Sequence, residues 1–131
     1  MAKKQSYNLD KITIFWSSCG LLLIILFLIS FYSYYPSGDE VKLVIDFGDG
    51  YSRSFLTSHR EGSNAWDMLQ QANAIYGIPL SVENHFKPKA IGDKENGEEG
   101  KKWNFYLDGK AHDEPFRAQL SGGEVVMFKF E

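Results

Sequence analysis

Cysteine is almost absent from this chain. Its 131 residues contain one, Cys19, so no disulfide can form within the chain and any folded part must be held by its core alone. Basic residues are also scarce over most of the length. From Ser37 onward 11 Lys and Arg face 16 Asp and Glu, a formal charge of −5, which excludes the basic footprint that nucleic acid or an anionic membrane surface would need. There is no Asn-x-Ser/Thr acceptor, no Gly-x-Ser-x-Gly elbow and no phosphate-cradling glycine loop.

Charge is missing altogether from one stretch. Ile12 to Tyr35, ITIFWSSCGLLLIILFLISFYSYY, runs for 24 residues without a charged side chain. As a helix rising about 1.5 Å per residue it spans roughly 36 Å, enough to cross a bilayer core with some tilt. A buried helix of a soluble core would not be apolar on every side. The flank before it carries Lys3, Lys4 and Lys11 against Asp10, and the flank after it opens with Asp39 and Glu40. The positive-inside rule then predicts residues 1–11 as a cytoplasmic tail, 12–35 as a single transmembrane signal anchor and the remainder as extracytoplasmic. Trp16 and Tyr32, Tyr34 and Tyr35 fit aromatic rings at the two interfaces.

Two processing signals are the alternatives. The segment SYYPSGDE after the span offers no A-x-A-like cleavage site, and the apolar run exceeds an ordinary signal-peptide core. Ser17 and Ser18 precede Cys19, but Trp16 lies before them and most of the apolar run follows, which speaks against lipidation.

Residues 36–40, PSGDE, read as a short linker, leaving 41–131 as one small domain. Val41, Leu43, Ile45 and Phe47 alternate with polar or smaller neighbours and predict a half-buried strand. Gly48-Asp49-Gly50 turns it into a returning strand, Tyr51 to Thr57, with Phe55 inward. Ser63 or Asn64 caps a helix AWDMLQQANAIY, with Asp67 near its amino terminus and Gly77 and Pro79 as stops. Leu80 to Phe86 alternates weakly as a third strand, and the polar stretch Lys87 to Lys102 is expected to be a flexible loop. Trp103 to Leu107 is an aromatic strand closed by Asp108-Gly109-Lys110, and an irregular piece containing Pro115 and Phe116 leads to a last strand, Val125 to Phe130, with Val126, Phe128 and Phe130 inward. Strands with a single helix predict an α+β domain in which the helix packs across a mixed sheet.

The first strand ending in IDFGDG, the helix opening SNAWDMLQQA, the strand KKWNFYLDGK and the closing LSGGEVVMFKF occur in the order seen in the transcobalamin-like carboxy-terminal domains, also known as the domain of unknown function DUF4430. The chain resembles that β-grasp family from about Val41 to Glu131. The family's Asn-Gly after the aromatic strand is here Asp108-Gly109, and its Gly-Asp before the last strand is here Gly123-Glu124, exchanges that keep the turn chemistry. The resemblance implies a domain that helps cover a ligand, in transcobalamin-like proteins cobalamin. There a large helical domain supplies the other half of the pocket. Such a domain is missing from this chain, so no cobalamin contact is assigned to any residue; no cofactor is expected, and cobalamin stays open as a less favoured ligand through the resemblance alone.

Candidates for chemistry are few. His59, His85 and His112 are spaced too widely for a local metal site. Asp93, Glu95, Glu98 and Glu99 resemble a calcium loop only in their acidity, since Gly97 does not fall at the turn position an EF-hand requires. No carboxylate pair stands out as acid and base, so no enzyme is expected and no catalytic residue is named. The candidate ligand or partner surface is made of large aromatics, Trp66, Phe86, Trp103 and Tyr106, bordered by the 87–102 loop. The expected function is non-catalytic binding of a small ligand or an envelope protein at the membrane. The alternative is structural assembly with a surface partner or with itself through an exposed strand edge.

Overall fold

The computed structural model describes residues 3–32, 38–84 and 86–131, and forms two units, Met1–Tyr34 and Tyr35–Glu131. The first contains the helix α1, Lys3–Tyr32. Within it Lys11–Ser30 is long and apolar enough to cross a membrane. The expected end of the span, residues 33–35, and the first two residues of the expected linker, 36 and 37, lie outside the described residues.

The second unit is an α+β domain of the β-grasp type. The strands are β1 Glu40–Asp46, β2 Ser52–Ser58, β3 Leu80–Glu83, β4 Lys87–Ile91, β5 Lys94–Glu95, β6 Trp103–Leu107, β7 Lys110–His112 and β8 Val125–Phe130, and the helix α2 is Ala65–Tyr76. Five of them form a mixed sheet in the order β2-β1-β8-β6-β7, with β1 parallel to β8 and every other pair antiparallel. The alternation read from the sequence decides which side chains face the helix. Leu43 and Ile45 lie in register with Val126 and Phe128, which in turn lie opposite Leu107 and Phe105. Leu43, Ile45 and Phe128 are fully buried, as are Trp66 and Leu69 from α2 above them. Burial of each such side chain contributes about 1.5–3 kcal/mol.

α2 is set by its ends. Asn64 caps it with a reciprocal pair of bonds, Asn64 Oδ1 accepting from the Asp67 N–H (2.9 Å) and Asp67 Oδ2 from the Asn64 N–H (3.0 Å). Gly77 closes it in the left-handed region, donating to the Asn73 carbonyl. Gly48, at φ +74, is required where the β1–β2 turn passes the last strand: a Cβ there would stand 2.1 Å from the Phe130 carbonyl oxygen.

Two expectations need correction. The third strand stops at Glu83, and Phe86 belongs to the turn that follows it. The 87–102 stretch is not a flexible loop: β4 and β5 join β3 in a second sheet of order β3-β4-β5, followed by a short 3-10 turn, Glu98–Gly100. Its polar composition hid two inward residues, Pro88 and Ile91, both buried. Asn96 holds the rest in place, its Oδ1 accepting from the Trp103 N–H at 2.8 Å and its Nδ2 donating to the Pro88 carbonyl at 3.0 Å.

Candidate functional site

The four aromatics named from the sequence do not share a surface. Trp103 is a core residue. Its indole N–H donates to the Lys94 carbonyl at 2.9 Å and its ring meets Phe47 edge-on and Phe130 at a tilt. Tyr106 alternates with Trp103 and Phe105 and so stands on the other face of the sheet, in register with Met127 and Val44. Its hydroxyl donates to Glu131 Oε1, which holds the phenol above its ordinary range, while Lys129 and Tyr106 together hold the Glu131 carboxyl below its own. Trp66 is buried as well, so neither tryptophan can serve as an exposed recognition residue. Trp66 is buried as a residue of α2, and Trp103 is covered by Phe47, Phe130 and the strand that supplies Lys94.

Trp66 and Phe86 do come together, and they bring a third ring. Phe86 meets Trp66 edge-on with centroids 6.1 Å apart, and stacks on Phe116 at 4.6 Å with the planes only 17° apart. Phe86 is 48% and Phe116 46% exposed. The stack is built from two segments pinned to the start of α2. Pro115–Arg117 is a single 3-10 turn, and just beyond it the Ala65 N–H donates to the Ala118 carbonyl (3.0 Å) and the Leu120 N–H to the Ser63 carbonyl (2.9 Å). Phe86 comes from the turn between β3 and β4 and holds φ at +57, where a bulky L residue is strained by about 1–3 kcal/mol. Stacking returns about 0.5–1.5 kcal/mol.

Beside the stack lies a cleft of about 210 Å³ lined by Phe86, Glu114, Phe116 and Arg117. Glu114 and Arg117 also line a neighbouring cleft of about 450 Å³ that reaches Leu107 and His112. Arg117 Nε donates to Glu114 Oε2 at 2.8 Å, so an ion pair separates the two openings. Trp66 Nε1, buried beneath the region, has no hydrogen-bond partner among the described residues. Phe116, Glu114 and Arg117 were missed from the sequence, where Pro115-Phe116 registered only as an irregular connection. The one available signal was a large aromatic following a proline in an otherwise polar piece.

The histidines stay apart in role. His59 Nε2 lies 2.8 Å from the Leu120 carbonyl oxygen, His112 rests against the Phe105 ring, and His85 falls outside the described residues. Among the described residues no three His, Cys, Asp or Glu side chains converge into a group that could hold a metal ion.

No protein-family model matches this chain, and no curated protein matches it. A solved structure does. The chain is similar to the crystal structure of a "putative metal binding protein" from Ruminococcus gnavus ATCC 29149, with a TM-score of 0.54 and 7% identity, over 71% of this chain and 96% of that one. At that identity the likeness concerns the fold alone.

Proposed function

We propose that this chain is a membrane-anchored, extracytoplasmic and non-catalytic binding module, a β-grasp domain of the transcobalamin-like type tethered by Lys11–Ser30 with its amino terminus in the cytoplasm. Its ligand surface is the Phe86–Phe116 stack with the Glu114–Arg117 ion pair at the rim. The observation that carries this reading is that Phe86 is strained and still half exposed. A turn that only closed a hairpin would be relieved by glycine at this position, whereas an aromatic face held outward has a use in recognition. The chemistry of the cleft suits a small ligand with a flat apolar face and a polar or charged edge. The ring stack takes the face, and Arg117 or Glu114 takes the edge.

Cobalamin remains a candidate through the resemblance only, with no residue assigned to it. The metal binding named for the R. gnavus protein is not carried over, because the described residues offer no matching ligand group. The test is affinity capture with the full chain in detergent, comparing wild type with Phe86→Ala and identifying the small molecules retained from the envelope extract. The reading expects at least one compound kept by the wild type and lost from the variant. Identical retention by both would remove the stack from the binding surface.

A further inference from the structure

The two edges of the main sheet differ. β7 is three residues long and carries Lys110, so shortness and charge both protect it. β2 is seven residues, SRSFLTS, with no proline, no lysine and an unbroken register against β1. Its second side has no strand neighbour among the described residues. The Phe47 N–H donates to the Tyr51 carbonyl and the His59 N–H to the Asp39 carbonyl, which fixes the odd-numbered residues of β2 as those bonded to β1. By alternation the N–H and C=O groups of Ser52, Ser54, Leu56 and Ser58 point away from the sheet.

We infer that this edge pairs with the β2 edge of a second copy of the chain, antiparallel and about a two-fold axis at Phe55. In that register Ser52 faces Ser58 and Ser54 faces Leu56 of the other copy, so each outward backbone group meets a complementary one. Phe55 meets its counterpart on the helix face. No like charges are opposed along the strand. Arg53 falls opposite Thr57 of the other copy, at the mouth of a cleft of about 440 Å³ lined by Thr57, Gln71, the exposed carboxylates Glu61 and Asp67, and one cation, Arg60. Two carboxylates against one cation leave that cleft net acidic, with room for a guanidinium. The surroundings also gain from being covered. Leu56, Ile75 and Tyr76 are 50%, 62% and 46% exposed, and Tyr76 stacks on Phe55 at 4.3 Å. Ile75 lies one helical turn beyond Gln71, which bonds Thr57, and so faces the same edge. Confinement of tethered copies to one membrane plane raises their effective concentration.

The inference is independent of the ligand surface and is tested by site-specific crosslinking of the full chain in cells, in a Cys19→Ser background. Membrane and soluble fractions are read separately, so failure of anchoring is distinguished from failure of pairing. Coexpressed, differently tagged Arg53→Cys and Thr57→Cys chains should form a mixed disulfide dimer on mild oxidation. Arg53→Cys alone should not, because its two copies would sit roughly 13 Å apart along the strands at about 3.3 Å per residue. Adding Ser54→Pro, which removes an outward N–H and none of the bonds to β1, should cut the mixed dimer about tenfold or more. Leu56→Lys should weaken it in the same direction without touching the backbone. The absence of the mixed dimer, equal crosslinking by Arg53→Cys alone, or indifference to both Ser54→Pro and Leu56→Lys would each overturn the pairing.

Discussion

The same residue types live under opposite conditions in the two units of this chain. In α1, Leu21, Leu22, Leu23, Ile24 and Phe27 are all well over half exposed, and the candidate span Lys11–Ser30 has none of its length covered by protein. In the β-grasp domain Leu43, Ile45, Leu69 and Phe128 are exposed by 1% or less. An apolar side chain left bare along a whole helix has water as an unfavourable neighbour on every side. The domain solves that problem internally, and α1 does not. The difference is the one expected where α1, long and apolar enough to cross a membrane, and the domain have different surroundings. It also explains how the domain manages without a disulfide, since its core is closed over by α2 and by the small second sheet.

Substitutions that exchange the two conditions test this comparison. Trp66→Ala empties the centre of the domain core and should lower its stability by about 3–5 kcal/mol, read as a shift in the denaturant midpoint of the detergent-solubilised chain. Leu23→Arg should do the reverse, leaving that midpoint unchanged and costing about 2.5–3.5 kcal/mol in membrane insertion, seen as chain lost from the membrane fraction. A fall in domain stability with Leu23→Arg would mean that α1 is part of the same core. Gly48→Ala should cost more than about 1 kcal/mol, because its Cβ meets the Phe130 carbonyl and the residue sits at φ +74; a neutral result would show that the turn gives way freely.

The smallest effect lies at the turn before β8. Burial pushes the Glu124 carboxyl up, but the Ser121 hydroxyl and the Ser121 and Gly122 N–H groups donate to it and outweigh burial, so its pKa is lowered. A lowered carboxylate contributes stability that is present above the ordinary carboxylate range and is lost as pH falls through the folded value. Glu124→Gln should therefore cost roughly 1 kcal/mol or less at neutral pH, screened by solvent, and flatten the acid limb of the stability profile. An unchanged acid limb would show that the turn does not depend on the charge.

How much of this was legible depended on whether periodicity or composition carried the information. Val41-Leu43-Ile45 and Val126-Phe128-Phe130 announce their inward faces by strict alternation, and Asn64 with Asp67 announces the start of α2, so the sheet and helix could be read directly. β4 and β5 could not. KPKAI buries only Pro88 and Ile91, too few apolar residues to show a period, and its order depends on Asn96, which acts from a distance. The aromatics failed for a related reason. Type alone does not say whether a ring faces the core or water: Trp66 joins the core with the sheet residues, while Phe86, which meets it from 20 positions away, stays half exposed. The DUF4430 resemblance rests on short motifs that no family model takes up, while the β-grasp topology it implied is the one observed.

The central claim is that α1 holds the folded domain outside the membrane. Its most direct test is labelling of intact cells with a membrane-impermeant maleimide, using Asp49→Cys in the exposed β1–β2 turn of a Cys19→Ser chain that carries an amino-terminal tag. The account predicts that the thiol introduced into this turn is labelled in intact cells on a full-length, membrane-bound chain, and that the tag is reached by protease only after lysis. Labelling of that thiol only after lysis, or recovery of the labelled domain as a shorter soluble species, would contradict it.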